Sequence, residues 1–326
     1  MQITILSFQN LSKAHQPLAA KRNLSVVQFI QQPVNSFDYI SSTIAIKSNY
    51  IEVTENDDIF ASVQEILVKN NSESYVFFSA GDILVGAMQN RVVNTSMLLP
   101  PNSKTKVPVS CIEQGRWSNT SKKFDKSDHV VPNVLYSKIN SNTAENLKKE
   151  KKYDANQQEV WNDIGILFMR RRETSYTSDL EELINKESKK RNDEVRNFIA
   201  EKDANGMAVF VGSELARIEI FNRTDIYQEY FSKVINSVIF DFENYKQENF
   251  IIDRDFAFTT VNDFLSDVDN LKYFVFPSVG VGEQKRYEHK NFTGFTLNYL
   301  EHMIHTSFIS KNVSKNQPKH DSDLPF

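Results

Sequence analysis

The sequence contains a single cysteine, Cys111, and carries no excess of positive charge. One cysteine excludes an intramolecular disulfide and a structural zinc site built from several thiolates. The 38 basic residues are outnumbered by 42 acidic residues, which gives a formal net charge of -4. This balance provides no basic field, so we expect no binding to duplex nucleic acid or to an anionic membrane surface.

Long apolar runs are also missing. No stretch approaches the ~20 apolar residues that a membrane-spanning helix requires. The segment 1–8 is a short apolar stretch, but it lacks a basic flank and a small-residue cleavage site for secretion. We therefore expect a cytoplasmic protein.

Glycine and proline, at 9 residues each, are far less frequent than phenylalanine, at 24 residues. The hydrophobic fraction of 40% and the aromatic fraction of 12% are typical of a globular chain with a core rich in rings. No repeat with a fixed period is visible, which argues against solenoids and propellers.

Short apolar runs between turn residues predict strands along much of the chain, at 44–46, 51–53, 75–80, 83–85, 92–93, 97–99, 106–113, 207–211, 216–221, 273–277, 283–288 and 293–308. Helical spacing of apolar residues predicts helices at 59–69, 161–168 and 224–246. A heavily charged pattern with few apolar residues predicts one long surface helix at 178–202. The polar segment 118–142 is predicted to be loop with brief extended pieces.

These elements predict an α+β fold with mixed or antiparallel sheets, flanking helices and one long charged helix. Residues 1–310 form either a single α+β domain or two intertwined subdomains. In the second case, the subdomains cover about 1–150 and 205–310 and are joined by a helical region at 151–204. The polar segment 311–326 is predicted to be a disordered tail.

The segment 81–117 has an unusual number of amide, guanidinium and carboxylate side chains on a predicted β framework. The candidate site residues are Asp82, Gln89, Asn90, Arg91, Asn94, Glu113, Arg116 and Trp117. Carboxylates suit proton transfer, so Glu113 and Asp82 are the candidate general acid and base. The indole ring of Trp117 is a candidate for stacking on a base or a sugar.

The remaining candidates are ligand-binding side chains. Arginine binds phosphate or carboxylate through paired N–H groups, so Arg91 and Arg116 are candidates for holding anionic oxygens. Gln89, Asn90 and Asn94 would orient a polar ligand. An alternative interpretation is structural. The same side chains would then form hydrogen bonds with turns and backbone groups of a tight β substructure, since buried polar networks also stabilise folds.

Two stretches of this segment, GAMQNRVVNT at 86–95 and PVSCIEQGRW at 108–117, resemble a family signature. The family is the ADP-ribosylglycohydrolase- and rhodanese-phosphatase-superfamily-associated protein domain, a prokaryotic family. Weaker similarity at 158–161, 212–221 and 282–305 extends the resemblance over most of the chain. The name implies proximity to ADP-ribose or phosphate chemistry, but it implies no particular reaction. The segments 178–205 and 311–326 look like additions to the family pattern.

Two functional hypotheses follow. In the first, which we prefer on the sequence, the protein binds or processes a phosphorylated or nucleotide-like small molecule, such as ADP-ribose, through the segment 81–117. In the second, it is a non-catalytic interaction or scaffold component of a prokaryotic conflict or regulatory system, with a protein partner on the 178–202 helix. The sequence does not decide whether the protein is an enzyme, and it identifies no cofactor.

Cys111 is a candidate nucleophile, which would require a nearby base and a depressed thiol pKa. It lies in phase with Val107 and Val109 on a predicted strand, however, and cysteine is among the most buried residue types. We therefore expect Cys111 to pack in the core.

His302 and His305 are three residues apart and would share one face of a helix, where they could bind a metal. On a strand, the two rings would point to opposite sides, and no third ligand is identifiable. We therefore predict no metal site. Gly280 and Gly282 follow an apolar run but lack the third glycine of a dinucleotide-binding loop, so they predict a tight turn.

Overall fold

The computed structural model describes residues 1–10, 24–32, 37–56, 64–186, 188–242 and 252–312. The strands are β1 (Gln2–Asn10), β2 (Leu24–Gln32), β3 (Ile40–Ser41), β4 (Ile51–Glu55), β5 (Glu65–Asn70), β6 (Val76–Phe78), β7 (Asp82–Gly86), β8 (Arg91–Val93), β9 (Met97–Leu99), β10 (Ser103–Cys111), β11 (Phe124–Val130), β12 (Gly206–Val211), β13 (Glu214–Phe221), β14 (Tyr273–Pro277), β15 (Glu283–Glu288), β16 (Phe292–Tyr299) and β17 (His302–Ser310). The helices are α1 (Ser42–Lys47), α2 (Asn133–Glu150), α3 (Gln157–Arg171), α4 (Leu180–Lys186), α5 (Ser188–Val195), α6 (Thr224–Phe242) and α7 (Arg254–Asp267).

The strands form three sheets. An eight-stranded sheet has the order β1-β2-β12-β13-β17-β16-β15-β14, and a six-stranded sheet has the order β11-β7-β8-β10-β5-β4. A three-stranded sheet, β3-β6-β9, contains one parallel pair, β3 with β6, whereas its other pair is antiparallel. The prediction of an α+β fold with mixed or antiparallel sheets is confirmed.

The eight-stranded sheet is covered on both faces. Val26 and Val27 are neighbours on β2, so their side chains point to opposite sides of the sheet. Val26 packs in a cluster with α6 and the three-stranded sheet, whereas Val27 packs with α7. A further cluster joins α2, α3 and α4 to β7, β8 and the eight-stranded sheet. The segment 81–117 therefore lies where the sheets and the helices meet.

The hairpin of β12 and β13 forms as predicted from the sequence. Gly212 provides its turn with a positive φ of 58°. Gly206 begins β12 so close to the ring of Phe29 that a Cβ there would lie 2.2 Å from a ring carbon. The predicted strands at 273–277, 283–288 and 293–308 are also observed, as β14 to β17.

Three local predictions are wrong. The segment 44–46 lies in helix α1 rather than in a strand, because the hydroxyl of Ser41 caps the helix by accepting from Ile44 N. The segment 65–69 of the predicted helix 59–69 lies in β5, which pairs with β4 and β10; the segment 57–63 is outside the described residues. The segment 118–142 contains the extended piece β11, but it also contains the first part of helix α2, which the prediction of loop missed.

The one long helix predicted at 178–202 is not observed. The segment contains two short helices, α4 and α5, and residue 187 between them is outside the described residues. Arg191 of α5 is fully buried, and its Nε donates to Asn236 Oδ1 of α6 at 3.0 Å. The region therefore packs on the body of the protein.

The predicted helix 224–246 is observed as α6 up to Phe242, and the remainder lies outside the described residues. The same holds for most of the predicted tail, since 313–326 is not described. In the part of the chain that is described, no helix has the length and apolar character needed to cross a membrane.

Candidate functional site

The segment 81–117 runs through four strands in two sheets. β7, β8 and β10 belong to the six-stranded sheet, whereas β9 belongs to the three-stranded sheet. Successive side chains on a strand point to opposite faces, so the predicted site residues are distributed over different surroundings. Gly86 permits the turn after β7 with a φ of 113°.

Glu113 and Arg116 form a two-pronged ion pair after β10. Arg116 Nε donates to Glu113 Oε1 at 2.8 Å, and Arg116 Nη2 donates to Glu113 Oε2 at 2.6 Å. Arg116 Nη1 donates to the carbonyl of Ala87 at 2.6 Å and also contacts Ser118 and Thr120. The nitrogens of the Arg116 guanidinium are therefore all directed at protein acceptors.

Asn90 joins this pair to a carboxylate that the sequence analysis missed. The backbone N–H of Asn90 donates to Glu113 Oε2 at 3.1 Å. Its side-chain nitrogen donates to both oxygens of Asp179, at 3.1 Å each, and its side-chain oxygen Oδ1 accepts from Gly86 N at 2.9 Å. Asp179 also accepts from Glu181 N at the start of α4. From sequence, Asp179 shows only the signal of a helix-capping residue.

The two carboxyl groups of this cluster have pKa values shifted in opposite directions. Burial, and then the charge of Glu113, raise the pKa of Asp179 to about 6, against an opposing hydrogen bond from Asn90. For Glu113, burial acts to raise the pKa, but hydrogen bonds from Arg116 and Asn90 hold the pKa below its usual range. Glu113 is therefore ionised near neutral pH, whereas Asp179 titrates at about pH 6.

Trp117 lies at the surface beside this cluster. Its side chain is 56% exposed, and Tyr176 on the adjacent loop is fully exposed at 102%. The two loops are paired, since Gly115 N donates to the carbonyl of Thr177 at 2.8 Å. A Cβ on Gly115 would lie 2.8 Å from Thr177 Cα, so the close approach depends on this glycine.

Arg91 lies in a different environment from Arg116. It is buried, and its Nη1 donates to Gln89 Oε1 at 2.9 Å and to Cys111 Sγ at 2.8 Å. Its Nη2 forms an ion pair with Glu55 at 3.4 Å. Cys111 is buried as expected, and burial raises the pKa of its thiol despite the opposing charge of Arg91. This environment does not activate a nucleophile.

Asn94 links two parts of the backbone. Its side-chain oxygen accepts from Ser110 Oγ at 2.8 Å, and its amide donates to the carbonyl of Tyr153 at 3.2 Å. Asn94 is fully buried. Its hydrogen-bonding groups hold the segment after α2 against β10.

Asp82 belongs to a separate buried network. Lys126 Nζ lies 2.5 Å from Asp82 Oδ2, and the hydroxyl of Tyr230 donates to the same carboxylate at 2.9 Å. Ser42 Oγ and Ser79 N also donate to it. Asp82 therefore ties β7 to α1, β11 and α6, and the structure does not bring it together with Glu113 as an acid–base pair.

A protein-family model matches residues 14–309, and its description is ARG and Rhodanese-Phosphatase-superfamily-associated Protein domain. The chain belongs to this family. The match includes the whole segment 81–117 and confirms the resemblance seen in the sequence. Comparison with curated proteins and with solved structures gives no match.

A second network connects the segment 81–117 to the eight-stranded sheet. Ser96 Oγ lies 2.7 Å from His305 Nδ1, and His305 Nε2 lies 2.6 Å from Glu219 Oε2. Arg217 Nε donates to the other oxygen of Glu219 at 2.7 Å. The order serine, histidine, carboxylate is that of a hydrolytic triad, but each of these side chains is almost fully buried.

Aromatic rings enclose this histidine. The ring of Phe221 stacks on His305 at 4.6 Å, and Phe77 and Phe295 contact it edge-on. His305 lies on strand β17 rather than on a helix, so it does not share a helical face with His302. Within the described ranges, no group of three His, Cys, Asp or Glu side chains is placed to hold a metal ion.

The turn at Gly280 and Gly282 also contacts the segment 81–117. The two residues have φ values of 80° and 90°, as the tight-turn interpretation requires. Val281 N donates to the carbonyl of Leu98 on β9 at 3.0 Å. The turn therefore packs against β9 of the three-stranded sheet.

Proposed function

We propose that this protein is a non-catalytic interaction or scaffold component of a prokaryotic conflict or regulatory system. The hydrogen bonding of Arg116 supports the proposal most directly. Its guanidinium donates to Glu113, to Asn90 and to loop backbone, so a phosphate group would have to displace an existing ion pair. Arg91 is likewise paired within the protein. These residues stabilise the loops that they connect.

The proposed contact surface consists of Trp117 and Tyr176 on the paired loops after β10 and before α4. Exposed aromatic side chains are enriched in protein interfaces and often contribute most of the binding energy. The network of Glu113, Arg116 and Asn90 fixes the loop that carries Trp117. The description of the family names association with ARG and a rhodanese-phosphatase superfamily, so a protein of one of these groups is the proposed partner.

Calorimetric titration tests this proposal. The full chain is titrated with purified proteins of the ARG and rhodanese-phosphatase superfamilies. We expect the wild type to bind one of them, and Trp117→Ala to weaken binding by about tenfold or more at an unchanged Tm. Ile199→Ala is the matched control, since Ile199 is an apolar side chain with 72% exposure in a different region. Equal binding by wild type and Trp117→Ala would exclude the surface at Trp117 as the contact with the partner.

A second candidate function is the handling of a phosphorylated or nucleotide-like small molecule such as ADP-ribose. Asp179 favours it, because a carboxyl with a pKa of about 6 beside the ionised Glu113 is suited to proton transfer. The exposed ring of Trp117 adjoins this pair and provides a surface for stacking. In this case, Asp179 rather than Asp82 is the acid–base partner of Glu113.

Calorimetry against ADP-ribose and a panel of nucleotides tests the second candidate. We expect Asp179→Asn to lose binding while the protein stays folded, and Glu182→Gln, an exposed change on α4, to keep it. No heat with any member of the panel would exclude this function, and would leave the protein-interaction proposal untouched.

A further inference from the structure

Arg286 on β15 is a buried cation that has no carboxylate partner in the described part of the chain. Its side chain is 1% exposed. Nη2 donates to Thr95 Oγ1 at 2.7 Å, and Nη1 donates to Asn140 Oδ1 at 3.3 Å, so both acceptors are uncharged. Its Nε–H is buried without an acceptor. A buried charge with neutral partners alone is an unfavourable arrangement.

Two other buried cations, Arg217 and Lys126, are paired with carboxylates. Arg217 lies 2.7 Å from Glu219, and Lys126 lies 2.5 Å from Asp82. Burial lowers the pKa of Arg286 to about 10, and only the neighbouring Tyr153 and Tyr136 oppose that shift. Arg286 thus differs from these cations in lacking a counter-charge.

Further polar groups lie on α2 and β15, the two elements that meet at the contact between Asn140 and Arg286. Thr143 lies one helical turn after Asn140 on the buried face of α2, and its hydroxyl is also buried without a partner. Gln284 precedes Arg286 on the same face of β15 and donates to Thr95 Oγ1 at 2.7 Å. A hydroxyl and a guanidinium N–H are both donors suited to an anionic oxygen.

Tyr153 covers this site from the surface. Its ring centroid lies 5.8 Å from the guanidinium carbon of Arg286, and its hydroxyl donates to the carbonyl of Pro277 at 2.8 Å. The side-chain amide of Asn94, a residue of the family signature, donates a hydrogen bond to the backbone carbonyl of Tyr153. Two neighbouring signature residues, Asn94 and Thr95, therefore support this site.

We propose that Arg286 binds a small oxyanion, a phosphate or carboxylate group, between α2 and β15 beneath the ring of Tyr153. The anion supplies the counter-charge that the described residues do not, and it accepts from the Nε–H of Arg286. The hydroxyl of Thr143 is a further donor on the adjacent helix. This site is independent of the proposed protein interface at Trp117, since the two involve different residues.

Thermal unfolding of the full chain tests the site. The Tm is measured in a buffer without phosphate or carboxylate, and then with added phosphate, acetate or chloride at equal ionic strength. We expect phosphate or acetate to raise the wild-type Tm by about 2 °C over chloride at about ten times Kd. The two oxyanion arms show which group is preferred.

Two variants show whether Arg286 is responsible. Arg286→Met keeps a linear side chain without charge, and we expect its Tm to be the same with oxyanion and with chloride. Lys285→Gln is the matched control, because it removes a cation from the neighbouring position on the opposite face of β15, and it should respond as the wild type does. An equal oxyanion response in wild type and Arg286→Met would overturn the proposal, as would no response in the wild type.

A third variant covers the case in which Arg286→Met does not fold. Arg286→Lys keeps the charge but loses the planar set of N–H donors. We expect its half-maximal Tm response to need about ten times more oxyanion than the wild type requires. The same midpoint as in the wild type would show that the guanidinium does not contact the anion.

Discussion

Asp82 shows how a polar residue of the segment 81–117 can serve the fold. Its carboxylate accepts from Lys126, Tyr230, Ser42 and a backbone N–H, and it is fully buried. Burial lowers the pKa of Lys126, but the adjacent charge of Asp82 opposes that shift. The two side chains depend on each other, because either one alone would be an uncompensated buried charge.

We predict that Lys126→Met lowers the free energy of unfolding by about 3–5 kcal/mol, since it leaves Asp82 without its cation. Urea unfolding measures the change. The double variant Lys126→Met, Asp82→Asn should recover a large part of the loss, because no charge is then buried. A single variant as stable as the wild type would show that the pair is not important for the fold.

Asp179 makes stability depend on pH. Its pKa is about 6 in the folded protein and about 4 in the unfolded chain. Between these values, the folded state holds a proton that the unfolded state has lost, so this contribution to stability falls as pH rises from about 4 to 6. Above pH 6, this reduction in the free energy of unfolding stays constant.

We predict that Asp179→Asn removes this pH dependence and raises the free energy of unfolding at pH 7.5 by about 1–2 kcal/mol. Asparagine can still accept at the start of α4, so the helix cap is retained. Urea unfolding at pH 4.5, 6 and 7.5 makes the comparison. Parallel pH curves for wild type and variant would show that Asp179 does not titrate in this range.

At the scale of elements, the turn at 278–282 depends on Gly280. A Cβ at this position would lie 2.3 Å from the carbonyl oxygen of Leu98, and the φ of 80° is rare for other residues. We predict that Gly280→Ala lowers the free energy of unfolding by about 2 kcal/mol or more. The control is Gly165→Ala in helix α3, where no atom lies within 4 Å and alanine should add about 0.5–1 kcal/mol. Equal effects of the two changes would contradict the close approach.

Elements with one unambiguous pattern could be predicted from the sequence. β12 and β13 are short runs rich in apolar residues with a glycine turn between them, and α6 shows clear helical spacing. The segment at β5 was misassigned because the consecutive apolar residues Ile66, Leu67 and Val68 fit both a helix and a strand. The segment forms a strand because it pairs with β4 and β10, and this pairing is not visible in the local sequence.

The candidate site was only partly predictable for a related reason. The sequence identified the segment 81–117, its family and its polar residue types. It did not show the partners of these side chains, such as Asp179 for Asn90 and His305 for Ser96. These contacts depend on how distant elements pack, and residue spacing contains no signal for them.

At the scale of the whole molecule, buried polar contacts join the two halves of the chain. Ser96 contacts His305, and Thr95 contacts Gln284 and Arg286. α6 packs against both the eight-stranded sheet and the three-stranded sheet. These contacts favour one cooperative unit over two separately stable subdomains.

We predict that residues 1–310 unfold in one transition. Fluorescence from Trp117 and Trp161 reports on the first half of the chain, whereas far-UV circular dichroism reports on all strands and helices. The two urea curves should coincide in the wild type and shift together in His305→Ala, which leaves the buried Glu219 without its histidine partner. Separate midpoints for the two probes would indicate two subdomains.

The central claim is that the polar residues of the family signature stabilise the fold and its loops. The unfolding free energy of Arg116→Ala tests it most directly, because this change leaves the nearly buried Glu113 without its ion pair. We predict a loss of about 3 kcal/mol or more, compared with little change for the exposed Arg170→Ala. Wild-type stability of Arg116→Ala together with lost binding of a phosphorylated ligand would contradict the claim.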